Sequence, residues 1–288
     1  MEIQWSLVFF AAFICWGAGI YAMTVVFRGL FKAPERIVAP AFVVAAVTVV
    51  VGAIASMTHL GHIDRIFGVL SNPGSGIFVE GLSAALLVMI VIVYLVAEAR
   101  KASAGTLRAL AIVGVVPAFV VTFAVGSSYL MVARPAWNVV VLPLVSITTA
   151  LSLGSVTVLA IDALTAGRAK DADVEAPAAK RMDAFALALV AVHAVAVAAY
   201  AVSVATAPYQ DASRSAARML TGDMALLFWG VVVVLGIGAP LAALLVRNRK
   251  GASVALAAAA VCMVAAAVAF RVIMFSLGSS IIDFGFTL

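Results

Sequence analysis

The sequence predicts an all-α, polytopic membrane protein with eight transmembrane helices in two four-helix groups and both termini outside. Three observations predict it. The 288 residues are 66% hydrophobic and only 11% charged, with a mean hydropathy of +1.22, whereas a soluble domain is about one quarter charged. The apolar residues form continuous runs of about twenty, the length a helix needs to cross hydrocarbon; a barrel strand would alternate over about ten. Lysine and arginine cluster on every second connection. Lipid offers no partner to an unpaired backbone group, so a spanning chain is either helical or a closed barrel. The continuous runs select the helix.

The expected spans are residues 5–27, 37–58, 77–97, 107–127, 137–164, 184–205, 224–246 and 252–277. The first has neither a basic region nor a small-residue cleavage site, and it is expected to be a retained helix. The second ends at His59. The third follows the turn-rich break Ser71-Asn72-Pro73-Gly74-Ser75-Gly76. Pro117 is expected to bend the fourth span. The fifth is the longest, and it is expected to tilt or to bend near Pro143. The charged stretch 165–182, which carries Pro177, is the cytoplasmic linker after span five. The later spans are rich in Ala and Val, small residues that let membrane helices approach closely. The chain reads as one integral membrane domain, 1–288. Residues 1–164 carry the candidate site, and 183–288 form the last three spans.

Charge fixes the expected orientation. Arg28, Lys32 and Arg36 follow span one. Arg100, Lys101 and Arg108 follow span three, and Arg168, Lys170, Lys180 and Arg181 follow span five. Arg247, Arg249 and Lys250 follow span seven. The other side has Arg65, Arg134, Arg214 and Arg218. Cytoplasmic loops carry the excess of Lys and Arg, which puts both termini outside. The net charge of +5 therefore reflects topology and not nucleic-acid binding.

Few residues offer chemistry. Cys15 and Cys262 fall near mid-span and read as small apolar packing residues. No Cys-x-x-Cys occurs, so no iron–sulfur cluster is expected in this chain. The three histidines are too few for two haems, and His193 near the midplane pairs poorly with His59 and His62; no haem is expected. His193 reads as a buried polar residue bonded to another helix.

The remaining ionisable groups converge in depth. With the orientation above, His59, Glu80, Tyr129 and Arg271 share one band near the outer face. Ionisable groups in or beside hydrocarbon are functional candidates by default. A histidine titrates near neutral pH, and beside a carboxylate at a dry boundary it suits proton transfer from a hydroxyl donor. Arg271 cannot lose its charge and needs a partner, for which Glu80 is the candidate. Each residue also has a plainer reading. His59 ends its helix, His62 is a solvated loop residue, and Glu80 favours a helix N-terminus. Arg271 snorkels to the surface, and Tyr129 with Trp137 belongs to an aromatic belt. The shared depth favours a site. Between spans two and three, Ile63, Ile66, Phe67 and Leu70 are spaced as on an interfacial amphipathic helix.

The motif Ser56-Met57-Thr58-His59-Leu60-Gly61, then Leu70-Ser71-Asn72, then Glu80, resembles the DmsC family of membrane anchors of dimethyl sulfoxide reductase-type complexes. The last-span arginine in Phe270-Arg271-Val272-Ile273-Met274-Phe275 agrees with that family, as do eight spans and outside termini. NrfD-type anchors share the general architecture. The resemblance implies a respiratory anchor in the bacterial cytoplasmic (inner) membrane that oxidises menaquinol to menaquinone near the outer face. It implies that electrons pass to a four-cluster iron–sulfur subunit and on to a molybdopterin catalytic subunit. His59 and Glu80 match the family's quinol positions, Arg271 matches its last-span arginine, and Tyr129 completes the candidate quinol set. The outer loop, with His62, Asp64, Arg65 and Asn72, is the expected docking contact. His62 and Asp64 depart from the Ser-Pro-type continuation usual in the family, which bears on the loop's shape. Two alternatives stand beside this reading: a transporter built on His193, and a structural anchor without a quinol site.

Overall fold

The computed structural model describes residues 3–58, 71–166, 176–246 and 252–278. His59, His62, Asp64 and Arg65 lie outside the described residues, as does the amphipathic segment expected around them. Among the described residues there is no strand, and eight helices are long and apolar enough to cross a membrane.

Helix α1 (Trp5–Phe31) is the most enclosed of the early spans, and it packs on α2 (Val38–Met57) and α6 (Leu142–Ala166). Its contact with α6 is made backbone to backbone. A Cβ on Gly19 would overlap Ala150, and one on Gly154 would overlap Gly19. Such close approach is how membrane helices gain packing contact without a hydrophobic driving force. Helix α3 (Gly76–Ala99) starts on an N-cap, where Ser75 Oγ accepts from the Phe78 N–H at 3.2 Å.

The fourth span is divided into α4 (Ala104–Val113) and α5 (Val115–Ser127). The break lies one turn before Pro117, which has no N–H to offer the Val113 carbonyl. Tyr21 Oη donates to the neighbouring Ala111 carbonyl at 2.9 Å. The bend expected of Pro143 does not occur. Helix α6 begins at Leu142, so Pro143 sits in its first turn, where a missing N–H costs nothing.

Helix α7 (Ala176–Thr206) starts eight residues before the expected span. It is followed by α8 (Gln210–Leu220), a surface helix that the apolar runs did not announce. The seventh span opens as a wide segment, Leu227–Gly238, whose backbone bonds reach five residues back; the Ala239 N–H donates to Val234 O. It continues into α9 (Ala239–Leu245), and α10 (Ala252–Ser276) closes the bundle.

Successive spans alternate in direction. The starts of α3 and α6 therefore share one end of the bundle with the ends of α5 and α10. Glu80 and Arg271 belong to that end, and Asp162 and Arg36 to the opposite one.

Candidate functional site

Glu80 lies one turn into α3, and only 9% of it is exposed. Its carboxylate meets the end of α5, where Ser128 Oγ lies 2.7 Å from Oε1. The next residue, Tyr129, turns into a trio of rings. Tyr129, Trp137 and Phe275 lie edge to face, with all three centroid separations at 5.5 Å, a favoured aromatic geometry. Burial pushes the Tyr129 phenol up to about 12, against the pull of the Arg271 charge, so it remains a neutral hydroxyl.

Arg271 is 4% exposed, so it does not snorkel. Its Nη2 donates to Ser146 Oγ on α6 at 2.7 Å, and its Nη1 points to Met274 Sδ at 3.7 Å. Its guanidinium carbon lies 5.6 Å from the centre of the Tyr129 ring, and the Cys15 thiol of α1 lies beside it. The expected Arg271–Glu80 ion pair does not form among the described residues. The reason is in the packing: α10 lies on α6 and α1, whereas α3 lies on α5 and α2. Each charge is thus held by a serine on its own packing neighbour, and the Arg271 guanidinium faces the Tyr129 ring.

The depth of Arg271 is fixed by the end of α10. The last carbonyls of a helix have no partner within it. Here Met274 O and Ser276 O, with the two carbonyls that follow the helix, find side-chain donors, while Ile273 O and Phe275 O accept from the backbone N–H groups of Leu277 and Gly278. Trp137 Nε1 donates to Met274 O at 2.6 Å and Arg218 Nη1 to Ser276 O at 2.9 Å. Ser215 Oγ donates to Leu277 O at 3.3 Å and Arg134 Nη1 to Gly278 O at 2.5 Å. The donors come from the loop after α5 and from α8. Arg134 also stacks 4.4 Å from the centre of the Trp137 ring.

The structure therefore brings together Glu80, Tyr129 and Arg271 of the predicted set. Asn72 is exposed at the same end, in the turn that starts α3, where its carbonyl accepts from the Ser75 N–H at 3.1 Å. His193 stands apart. Its Nδ1 lies 3.1 Å from Thr148 Oγ1, joining α7 to α6 as expected of a buried polar residue. Sequence reasoning missed Ser128 and Ser146, which hold the two charges. Behind Arg271 runs a crevice lined by Cys15, Ser146, Thr149 and Phe270, with room for about one water.

A carboxylate, a neutral phenol and a fixed cation at one depth can bind a dihydroxylated ring by hydrogen bonds and accept its protons. No group of His, Cys, Asp and Glu suited to a metal ion occurs among the described residues. The family model described as "Polysulphide reductase, NrfD" matches residues 1–279, and the chain belongs to that family. It is a family of quinone-interacting membrane anchors that work with iron–sulfur and molybdenum oxidoreductase subunits. Among curated proteins, none matches this chain.

Proposed function

From membership of the NrfD family, we propose that this chain is the quinol-oxidising anchor of a DmsC-type respiratory reductase. Its substrate is menaquinol, bound near the outer face of the bacterial cytoplasmic membrane, with both termini on that side. One observation carries the reading: Glu80 of α3, Tyr129 of the loop after α5 and Arg271 of α10 converge at one end of the bundle. Nothing about packing alone requires a buried carboxylate and a buried arginine to share one end of the bundle without an ion pair between them.

Glu80 accepts a proton from one quinol hydroxyl, and His59, which follows α2, serves the other. Tyr129 donates a hydrogen bond to a quinol oxygen, and Arg271 stabilises negative charge that builds on the ring as it is oxidised. The two electrons leave to a docked four-cluster iron–sulfur subunit, which feeds a molybdopterin subunit. The loop residues His62, Asp64, Arg65 and Asn72 contact that partner.

The test is turnover of the assembled complex with a quinol, compared with turnover driven by a soluble reductant that feeds the iron–sulfur subunit directly. His59→Arg and Glu80→Lys are expected to abolish the first and to spare the second. Normal quinol turnover in both variants would remove the assignment.

A further inference from the structure

A buried group that collects a proton must also release it. Only one side chain reaches the Glu80 carboxylate by a hydrogen bond among the described residues, and it is Ser128. Glu80 is buried whereas Ser128 is exposed, at the last turn of α5. The hydroxyl thus stands between the carboxylate and the surface at that end of the bundle.

Its hydrogen bonds allow it to serve both charge states of Glu80. Ser128 Oγ lies 2.7 Å from Glu80 Oε1 and 2.8 Å from Ala124 O. A serine has one hydrogen to donate and two lone pairs with which to accept. With Glu80 ionised, the hydroxyl donates to the carboxylate, since a charge-assisted bond is the stronger. With Glu80 protonated, the carboxyl O–H donates to Ser128 Oγ, and the hydroxyl turns to Ala124 O or to water. The turn leaves no orphan, because Ala124 O keeps the Ser128 N–H at 2.9 Å and the Ser127 hydroxyl at 3.2 Å. No heavy atom has to move.

Gly76 makes room for this contact. A Cβ there would lie 2.6 Å from Ser128 Oγ, so the hydroxyl would have to turn away from its place beside Glu80. Among the described residues, the charged and titratable groups that face Glu80 are Arg271 of α10, Cys15 of α1 and Tyr129 beyond α5. Arg271 cannot give up a proton at neutral pH, and Cys15 is buried, so neither offers a way out.

We propose that Ser128 is the proton exit of Glu80, a positioning residue whose hydroxyl passes the proton from the buried carboxyl to water at the surface. The step balances. Ser128 Oγ takes the Glu80 proton as its own hydrogen leaves to water, and Glu80 returns to the carboxylate. The proposal rests on the quinol reading above.

The experiment is steady-state quinol oxidation by the assembled complex in H2O and D2O, with Ser128→Ala, Ser128→Thr, Gly76→Ala and Glu80→Gln. Ser128→Ala is expected to lower kcat by roughly tenfold or more, with KM unchanged and a larger solvent isotope effect. Ser128→Thr, which keeps the hydroxyl, is expected to restore most of the rate. Gly76→Ala is expected to slow turnover as Ser128→Ala does, although alanine favours helix more than glycine. Wild-type kcat in Ser128→Ala, with Glu80→Gln inactive, would overturn the exit and leave the quinol site standing. Equal loss in the alanine and threonine variants would overturn it too, as a packing effect. Full activity of Glu80→Gln would instead remove the quinol reading itself.

Discussion

Two buried carboxylates stand at opposite ends of this bundle, and they are treated in opposite ways. Asp162 of α6 is paired with Arg36 at 2.8 Å. Glu80 of α3 has a buried arginine within electrostatic reach and is not paired with it; a serine holds each. Closing an ion pair is the ordinary way to keep a charge out of water. At the Asp162 end the fold takes that way, and the pair clasps the start of α2 to the end of α6. At the Glu80 end the packing of α10 on α6 and α1 keeps the charges apart. A paired carboxylate is chemically quiet, and one left to a hydroxyl is free to take up a proton. The difference separates a clasp from a candidate site.

The comparison breaks most sharply through activity. Glu80→Gln is expected to lower quinol-dependent turnover by about 100-fold or more, with the unfolding free energy changed by less than about 1 kcal/mol. Asp162→Asn should do the reverse. Breaking one side of a largely buried pair is expected to cost about 2–4 kcal/mol of stability, discounted for the part-exposed Arg36. Turnover per folded complex should stay at the wild-type level, as read by denaturant titration beside the rate assay. If the two variants exchange phenotypes, the contrast between the ends is wrong.

A finer cut probes what holds Arg271 at its depth. Trp137→Phe keeps the ring trio and removes the donor to Met274 O. It should cost about 1 kcal/mol in stability and raise the quinol KM by a few-fold, with kcat nearly unchanged. The smallest effect is expected at the exposed Arg218–Asp223 pair, 2.7 Å apart. Arg218 holds the Asp223 carboxyl below its usual range, so any contribution is present at neutral pH and fades as acid protonates the group. Asp223→Asn should leave stability at neutral pH indistinguishable from wild type in the same titration. Solvent screens a pair so exposed.

The spans were legible because crossing a bilayer demands long apolar runs that little else produces. Glu80 and Arg271 were legible for the complementary reason: a charge inside such a run is costly. Their partners were not. Ser128 and Ser146 are two of many hydroxyls on these helices, and most of those only bond back to a carbonyl one turn earlier, as Thr48, Thr149 and Thr165 do. Sequence does not say which hydroxyl faces a charge. Helix α8 was hidden for another reason. It buries Ala212, Ser215, Ala216 and Met219 at helical spacing, so its amphipathic pattern is clear, but a short and largely polar stretch is passed over when spans are sought as long apolar runs. The expected Arg271–Glu80 pair failed because shared depth says nothing of which helices are neighbours.

If the Glu80 end of the bundle takes up the quinol, binding can be read without turnover, by titrating a fluorescent quinol analogue into the purified protein, with wild type, Glu80→Lys and Asp162→Asn side by side. Saturable binding is expected in wild type and in Asp162→Asn, and its loss in Glu80→Lys. Undiminished binding in Glu80→Lys would contradict uptake at that end.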